Sequence, residues 1–530
     1  MNANEQTLRD LLRTGFNALS QGKIREASRC CEEALRLQPD LPQAHFLVGL
    51  TALQAQDRQT AFQAFGSVTT LDPGHAAAWA QLARLFMHEG QVVKADAALK
   101  QALQADSQDP MVHDLIGSVY SLIGEFDAAG KSFTAAVERQ PNHPPFLLNL
   151  ANNLIYHGDT AGAVQLIERI LAVQPNSPQA HWALSGSQKA GNEEHINTMQ
   201  QLAAAPGMPA RARAFYHYAI GKEYEDLQLW EPAFAAFAKG AADRRSTVEY
   251  DEAAEVAMFE FLESHFSRDW LANAGAGSAE AGPIFVLGQP RSGTTLIERI
   301  ITSHSQVSSA GELQQLGLAV RRLSDYRDPK RFSTAFFAAA MNLPPKKLGD
   351  LYLDSTRKIR GQTPYFVDKL PQNYLMIPLI LAALPQAKIV HLQRDPMDAC
   401  FASFKQLFAD AYLHSYDQAE MARHHQRYLR LMDIWRERFG DRFIDISYEA
   451  TVQNIEPNAR RLIDFLGLDW EPACLNFHTQ DSPVSTASAV QVREPAHTRS
   501  VGRWRQYESQ LAPMWSILQQ PTTPGPADHK

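Results

Sequence analysis

The stretch "VLGQPRSGTTLIERII", Val286 to Ile301, decides how the second half of the chain is read. Gly288 and Gly293 have the G-x-x-x-x-G spacing of a phosphate-binding loop, but Thr294 and Thr295 stand where a nucleotide-triphosphate loop has Lys-Ser or Lys-Thr. The apolar run "PIFVLG" before it reads as a strand and "TTLIERIITSH" after it as a helix. A helix start directs backbone N–H groups and the positive end of its dipole at an anion. Arg291, Ser292, Thr294 and Thr295 add a guanidinium fork and three hydroxyls. Such a set suits a terminal oxyanion group that needs no metal.

Two further segments end in the same kind of place. "AKIVHLQRD" reads as a strand ending at Arg394, and Asp395-Pro396 with Asp398 reads as a helix start. Arg394 therefore belongs to the crevice at the strand ends of a parallel sheet. "DRFIDISYE" is a third strand-like run, presenting Tyr448 and Glu449 before the helical "NARRLIDFLGL".

The first half reads differently. Pro39, Pro73, Ser107, Pro141 and Pro175 fall on one 34-residue grid. Gly15, Gly49, Ala83, Gly117, Ala151 and Ser185 keep the same period, as do Ala27, Ala61, Ala95, Ala129 and Ala163. Small residues at these intervals let two antiparallel helices approach closely, the signature of tetratricopeptide (TPR) repeats. Five regular repeats span about 8–176; the register fades, then returns near 214–246 through Gly221, Ala233 and Phe237. The expected organisation is an α-helical TPR solenoid over 1–247, a connecting helix and Gly/Ala linker over 248–282, and an α/β P-loop-like domain with a central parallel sheet over 283–518. A disordered tail is expected over 519–530.

Composition bounds the function. At 530 residues, 45% hydrophobic, 20% charged and net charge −8, the chain is an ordinary globular protein and no general nucleic-acid binder. Its four cysteines lack metal-ligand spacing, and "MNANEQTLRDLLRTG" lacks the features of a secretory signal. The longest apolar run, Tyr374 to Leu384, is too short to span a bilayer. A cytoplasmic, reducing location is expected.

Taken together, "PRSGTTL", "KIVHLQRDPMDAC", "SYEATV" with "RRLIDFLGL", and "VREPAHTRSVGRW" resemble, in order, the sulfotransferase superfamily. The resemblance is closest to its tyrosylprotein sulfotransferase-like branch fused to TPR repeats, and covers about 283–518. It implies 3'-phosphoadenosine 5'-phosphosulfate (PAPS) as donor, 3'-phosphoadenosine 5'-phosphate (PAP) as product, and no metal. By the same resemblance Glu312 in "SSAGEL" is the base and Lys369 in "FVDKLPQNY" faces the bridging oxygen, with Arg291 assisting at the sulfuryl oxygens. Ser292, Gly293, Thr294 and Thr295 would hold the 5' end, Arg394 and Tyr448 the 3'-phosphate, and Ser488 of "STAS" with Arg493 a covering strap. Gly502 and Trp504 would shape the adenine side. Where the family has a serine eight residues after the strand-end arginine, Ala402 stands, followed by Ser403; either Arg394 carries the phosphate with Tyr448, the favoured expectation, or a distorted first helical turn rotates Ser403 into the serine's place. His304, His391 and His478 read as packed or solvated residues.

The acceptor is left open among a tyrosine of a peptide or protein, a carbohydrate hydroxyl and a small phenol or alcohol, and the solenoid's role among binding substrate, a protein partner and a second subunit. Two other readings compete. A P-loop kinase would need a Walker lysine and a magnesium carboxylate, and neither is in place; a non-catalytic TPR protein with a vestigial nucleotide domain would have no use for Arg291, Glu312, Lys369 and Arg394 together.

Overall fold

The computed structural model describes residues 3–328, 330–408, 410–484 and 491–520. The chain forms two compact units, Met1–Leu150 and Ala151–Lys530.

The first unit is built of helix pairs: α1 (Ala3–Ser20) with α2 (Ile24–Leu37), α3 (Pro42–Gln54) with α4 (Arg58–Leu71), α5 (Ala76–His88) with α6 (Val92–Gln104), and α7 (Pro110–Ile123) with α8 (Phe126–Arg139). The periodic small residues explain the pairing. A Cβ on Gly49 would lie 2.5 Å from the Phe65 ring, and one on Gly117 would lie 2.7 Å from Phe133. Each glycine is thus the socket for a phenylalanine of the next helix, and Ala27, Ala61, Ala95 and Ala129 are fully buried. The grid residues lie in the turns between pairs. Their carbonyls are capped by an aromatic ring nitrogen six residues on: His45 Nε2 on Pro39 O at 2.8 Å, Trp79 Nε1 on Pro73 O at 2.9 Å, and His113 Nε2 on Ser107 O at 2.8 Å.

The second unit takes up the chain within α9 (Pro144–His157) and continues with α10 (Thr160–Val173). Where the repeat register fades, two ten-residue helices form, α11 (Pro178–Ser187) and α12 (Glu194–Ala203). In α13 (Ala210–Asp226) and α14 (Trp230–Arg245) the socket returns, a Cβ on Gly221 lying 2.6 Å from Phe237. After α15 (Glu252–His265), the segment expected as a linker contains a short helix, α16 (Arg268–Asn273). It is then tied down by Ser278 N–H on Ala383 O at 2.8 Å.

The rest alternates strands and helices: β1 (Pro283–Gly288), α17 (Thr294–Thr302), β2 (Val307–Ser309), α18 (Gln315–Ser324), α19 (Thr334–Ala340), α20 (Pro345–Thr356), β3 (Tyr365–Lys369), α21 (Ile377–Ala383), β4 (Lys388–Gln393), α22 (Pro396–Phe404), α23 (Gln418–Phe439), β5 (Phe443–Ser447), α24 (Tyr448–Gln453), α25 (Ile455–Leu466) and α26 (Ala512–Leu518). The sheet is parallel throughout, in the order β2-β3-β1-β4-β5. β1 is buried along its whole length, as parallel strands covered on both faces must be. Its side chains alternate: Ile284 and Val286 enter a core with α17 and α25, Phe285 and Leu287 a core with α20, α21 and α23.

The division at Leu150 falls inside the repeat region and not near residue 247, because the later repeats share a core with the sheet's helices. Ala233 and Phe237 of α14 join Met397, Phe401 and Phe404 of α22 and Trp504 and Tyr507 in one cluster. Residues 521–530, most of the expected tail, and Ser485–Ser488 lie outside the described residues. No described helix is long and apolar enough to cross a membrane.

Candidate active site

Strand register brings the predicted anion sites together. Val286 of β1 pairs with Lys369 at the end of β3, and Gly288 pairs with Leu392 of β4, two residues before Arg394. The loop leaving β1 is thus flanked by Lys369 on one side and Arg394 on the other.

The loop is held in an unusual backbone. Arg291 has φ +62° and Gly293 φ +102°. A left-handed arginine costs on the order of 1 kcal/mol, and such strain collects at functional sites. A Cβ on Gly293 would lie 2.5 Å from the Tyr448 ring, so no larger residue fits between the loop and Tyr448. Arg394 lies over the same ring, 4.7 Å from its centroid. Its Nη1 donates to Arg291 O at 2.6 Å and its Nη2 to Ser500 O at 2.7 Å. Burial, and then repulsion from Arg394, pull the Arg291 guanidinium down to about 10. Two mutually repelling cations at one loop are a charge arrangement that an anion would relieve. The donor set supports this: Arg394 Nε and both polar atoms of the Gln289 side chain are buried with no hydrogen-bond partner. Polar atoms buried in that way are costly unless a ligand or water meets them.

The neighbouring hydroxyl-bearing residues differ in what they bond. Thr294 and Thr295 open α17 and are buried. Ser292 commits its hydroxyl to Gln289 O at 2.7 Å, within the loop. Ser403 is fully buried and donates to Ala399 O at 3.0 Å and Pro290 O at 3.3 Å, so it supports the loop backbone from beneath. α22 starts regularly, with Asp395 Oδ1 accepting from Asp398 N at 2.9 Å, and the register places Ala402 nearer the surface than Ser403.

On the other side of β1, Lys369 Nζ meets Glu312 Oε1 at 2.5 Å. The lysine side chain is 1% exposed and the glutamate 42%, so a fixed cation faces a carboxylate that reaches solvent. Asp368 beside them is buried and pushed up to about 8; it accepts from Tyr352 OH at 3.0 Å and Asn373 Nδ2 at 3.4 Å. Asp368 is therefore mostly uncharged at neutral pH, leaving Lys369 to Glu312.

Residues 283–472 match the Sulfotransferase family, and residues 13–68, 52–119 and 124–186 match the Tetratricopeptide repeat. The chain carries a sulfotransferase-family domain. An uncharacterized Aquifex aeolicus protein is 29% identical over 394 residues, 73% of this chain and 51% of that protein. A Drosophila melanogaster protein-tyrosine sulfotransferase is 23% identical over 269 residues, 46% of this chain and 53% of that one. The matches thus span about half the length of both relatives. Among solved structures, a thermophilic TPR protein of Thermus thermophilus is similar over 34% of this chain and 98% of its own, with 20% identity and a TM-score of 0.30.

Beyond the matched residues, one expected donor contact points elsewhere. Arg493 turns toward the end of α9: its Nη2 donates to Tyr156 O at 2.9 Å, and it fills the space where Gly158 lacks a side chain. Val484 N–H donates to the same carbonyl at 2.9 Å. Arg493 is thus the latch of a strap whose Gln491 reaches Arg291 at 3.4 Å. The arginine lies beside Arg299, which itself donates to Gln480 Oε1 at 2.6 Å. Gly158 has φ +88°, and an added Cβ would lie 2.6 Å from Arg493 Nε. Gly158→Ala is expected to cost at least about 1 kcal/mol and to release the latch. Limited proteolysis should then show faster tryptic cleavage after Arg493 than in the wild type. Trp504, expected at the adenine side, is buried and stacks on Trp515 at 5.1 Å, so it packs α26 onto the domain.

The histidines are packed. His391 bonds Asp445 and Tyr428, both at 2.5 Å, and His304 bonds Asp469 O at 2.8 Å. Glu255, His414 and His424 have the composition of a metal site, and they form the one such group among the described residues. Their geometry is wrong for it. The two imidazoles are nearly parallel, 12° apart with centroids at 3.5 Å, whereas a metal lies close to the plane of each ring, about 2.1 Å from its nitrogen. Glu255 instead accepts from His424 Nδ1 and Arg427, both at 2.8 Å. Burial, and then the neighbouring His424 and His414, push His425 down to about 3, and neither of its ring nitrogens has a partner. A histidine depressed below its unfolded value of about 6.5 withdraws stability as pH falls from about 6.5 toward its folded pKa. His425→Leu should remove this contribution. In denaturation, the wild type and the variant are expected to change alike above about pH 6.5, and below about pH 6 the wild type should lose up to about 1.4 kcal/mol per pH unit more than the variant.

Sequence reasoning did not single out Gln289, Glu298, Asp368 or Gln491. Glu298 left one signal, an acid inside the otherwise apolar "LIERII".

Proposed function

We propose that the protein is a PAPS-dependent sulfotransferase acting on a hydroxyl acceptor, with a protein tyrosine as the favoured class. The observation that carries the reading is the Glu312–Lys369 pair, set at 2.5 Å across the loop-bearing strand from Arg394. When bound, PAPS supplies an activated sulfuryl group, whose transfer to the hydroxyl oxygen breaks the bridging S–O bond and releases PAP.

The chain's residues have separate tasks. Arg291 and the first turn of α17 bind the 5' anion, and Arg394 on its Tyr448 platform binds the 3' anion. Glu312 takes the acceptor hydroxyl's proton on a carboxylate oxygen. Lys369 holds a buried positive charge where negative charge develops on the leaving oxygen. No covalent bond to the protein is required, since binding both partners in line supplies the proximity. The preference for a tyrosine is supported by the Drosophila relative's name, and the repeats offer the kind of surface on which a protein acceptor or second subunit docks.

The test has two arms. Calorimetry with PAP should show one site, with the same affinity in EDTA as in magnesium; a magnesium requirement would favour a kinase. Labelled PAPS with tyrosine peptides, phenols and carbohydrates should then label the peptides first. PAP binding without transfer to any hydroxyl would leave a nucleotide-binding protein and remove the enzyme.

A further inference from the structure

Glu298 has no part in the mechanism above, yet it sits beside it. It lies on α17 in a run where every residue from Thr294 to Ile301 is buried, and it is 6% exposed itself. A carboxyl in such a place is unfavourable unless it is hydrogen-bonded. Its partner is the last residue of β2: Ser309 Oγ donates to Glu298 Oε1 at 2.6 Å. The same Oγ accepts the N–H of Gly311 at 3.1 Å, and the carbonyl of Gly311 accepts the N–H of Lys369 at 2.9 Å. Ala310 N–H donates to Val367 O at 2.9 Å. The turn that delivers Glu312 is therefore fastened on both sides, to β3 by its backbone and to α17 through one serine and one glutamate.

We propose that the Glu298–Ser309 pair positions Glu312, holding the 309–311 turn so that the Glu312 carboxylate lies against Lys369 Nζ. The inference rests on reading Glu312 as the proton acceptor. The titratable groups facing Glu298 are Lys369 and Asp368 from β3, Glu312 from the turn, and Arg299 on its own helix. Burial raises the Glu298 pKa more than Lys369 lowers it, and Glu312 raises it further. Burial thus disfavours the charged form of Glu298, and the contact that reaches the turn is its hydrogen bond from Ser309 Oγ. A glutamine keeps the acceptor oxygen that Ser309 needs; an alanine does not.

The test compares crystal structures, PAP calorimetry and pH–rate profiles of the full-length wild type, Glu298→Gln, Glu298→Ala and Ser309→Ala. In the two alanine variants the 309–311 turn should move and Glu312 should leave Lys369. Their kcat should fall by about 10- to 100-fold, the range for misplacing a reacting group by an ångström. PAP affinity should hold, because the anion loops are untouched. The acidic limb of the kcat profile should shift in both alanine variants, and Glu298→Gln should restore the turn and most of the lost rate. An unmoved turn in Ser309→Ala, or a glutamine variant as impaired as the alanine one, overturns the proposal. Ser309→Ala carries the test should Glu298→Ala fail to fold. A wild type that transfers no sulfuryl group would overturn the sulfotransferase reading alone, since the position of the turn still decides the role of Glu298.

Discussion

Replacing Glu312 with glutamine is expected to lower turnover by about 10²- to 10⁴-fold, the contribution of a positioned general base, while PAP affinity stays near the wild-type value. The separation follows from the sheet. Glu312 reaches its place from the turn after β2, on the β3 side of β1, and Arg394 from the end of β4 on the other side. Lys369→Ala should lower turnover over a similar range, because it withdraws a cation from a site that is 1% exposed and where charge is poorly screened. Steady-state kinetics with saturating PAPS, alongside PAP calorimetry, checks both. An unchanged rate in Glu312→Gln would take the glutamate out of the mechanism. The packed state of His304 and His391 would then leave another carboxyl as the place to look.

Arg394→Ala is expected to weaken PAP binding by roughly 10- to 150-fold, the equivalent of about 1.5–3 kcal/mol for hydrogen bonds to a charged group. Arg394→Lys should recover little of it. The guanidinium uses Nη1 and Nη2 to hold Arg291 O and Ser500 O and keeps Nε for a ligand, three directions that a single ammonium cannot serve at once. The variant should also loosen the loop, since the carbonyl of a left-handed arginine loses its donor. Calorimetry at two salt concentrations would show the anion contribution directly; an affinity unaffected by Arg394→Ala would mean that the phosphate is bound elsewhere.

The repeats are legible in the sequence because their cause is local and recurs. Two helices that touch need a small residue at the crossing, and the glycine sockets for Phe65, Phe133 and Phe237 leave the same mark each time. The strand-loop-helix around Gly288 to Thr295 is legible for a similar reason, since apolar period, glycine spacing and helix start coincide within a few residues. The aromatic caps on the grid carbonyls, His45, Trp79 and His113, also lie in plain periodic view but gain meaning only once the turns are seen.

Other features arise from contacts between distant segments. The three-residue β2 is too short to carry a pattern, yet parallel pairing with β3 makes it the anchor of the turn that carries Glu312. Residues 268–282 look like a linker because glycine and alanine dominate; they include a helix and pack on α21 because small residues are what that close contact admits. Arg493 has the composition of a phosphate ligand and becomes a latch because Gly158, 335 positions earlier, leaves room for it. The sequence alone determined the two architectures and the strand-loop-helix at Gly288 to Thr295, because each is written in a short run of residues, while Glu312 and Lys369 stood out only through the family resemblance. Which charges face one another, which serine braces the loop, and which carboxyl bonds the turn before Glu312 were decided by tertiary structure, since burial and strand register set those partners and neither is a property of neighbouring residues.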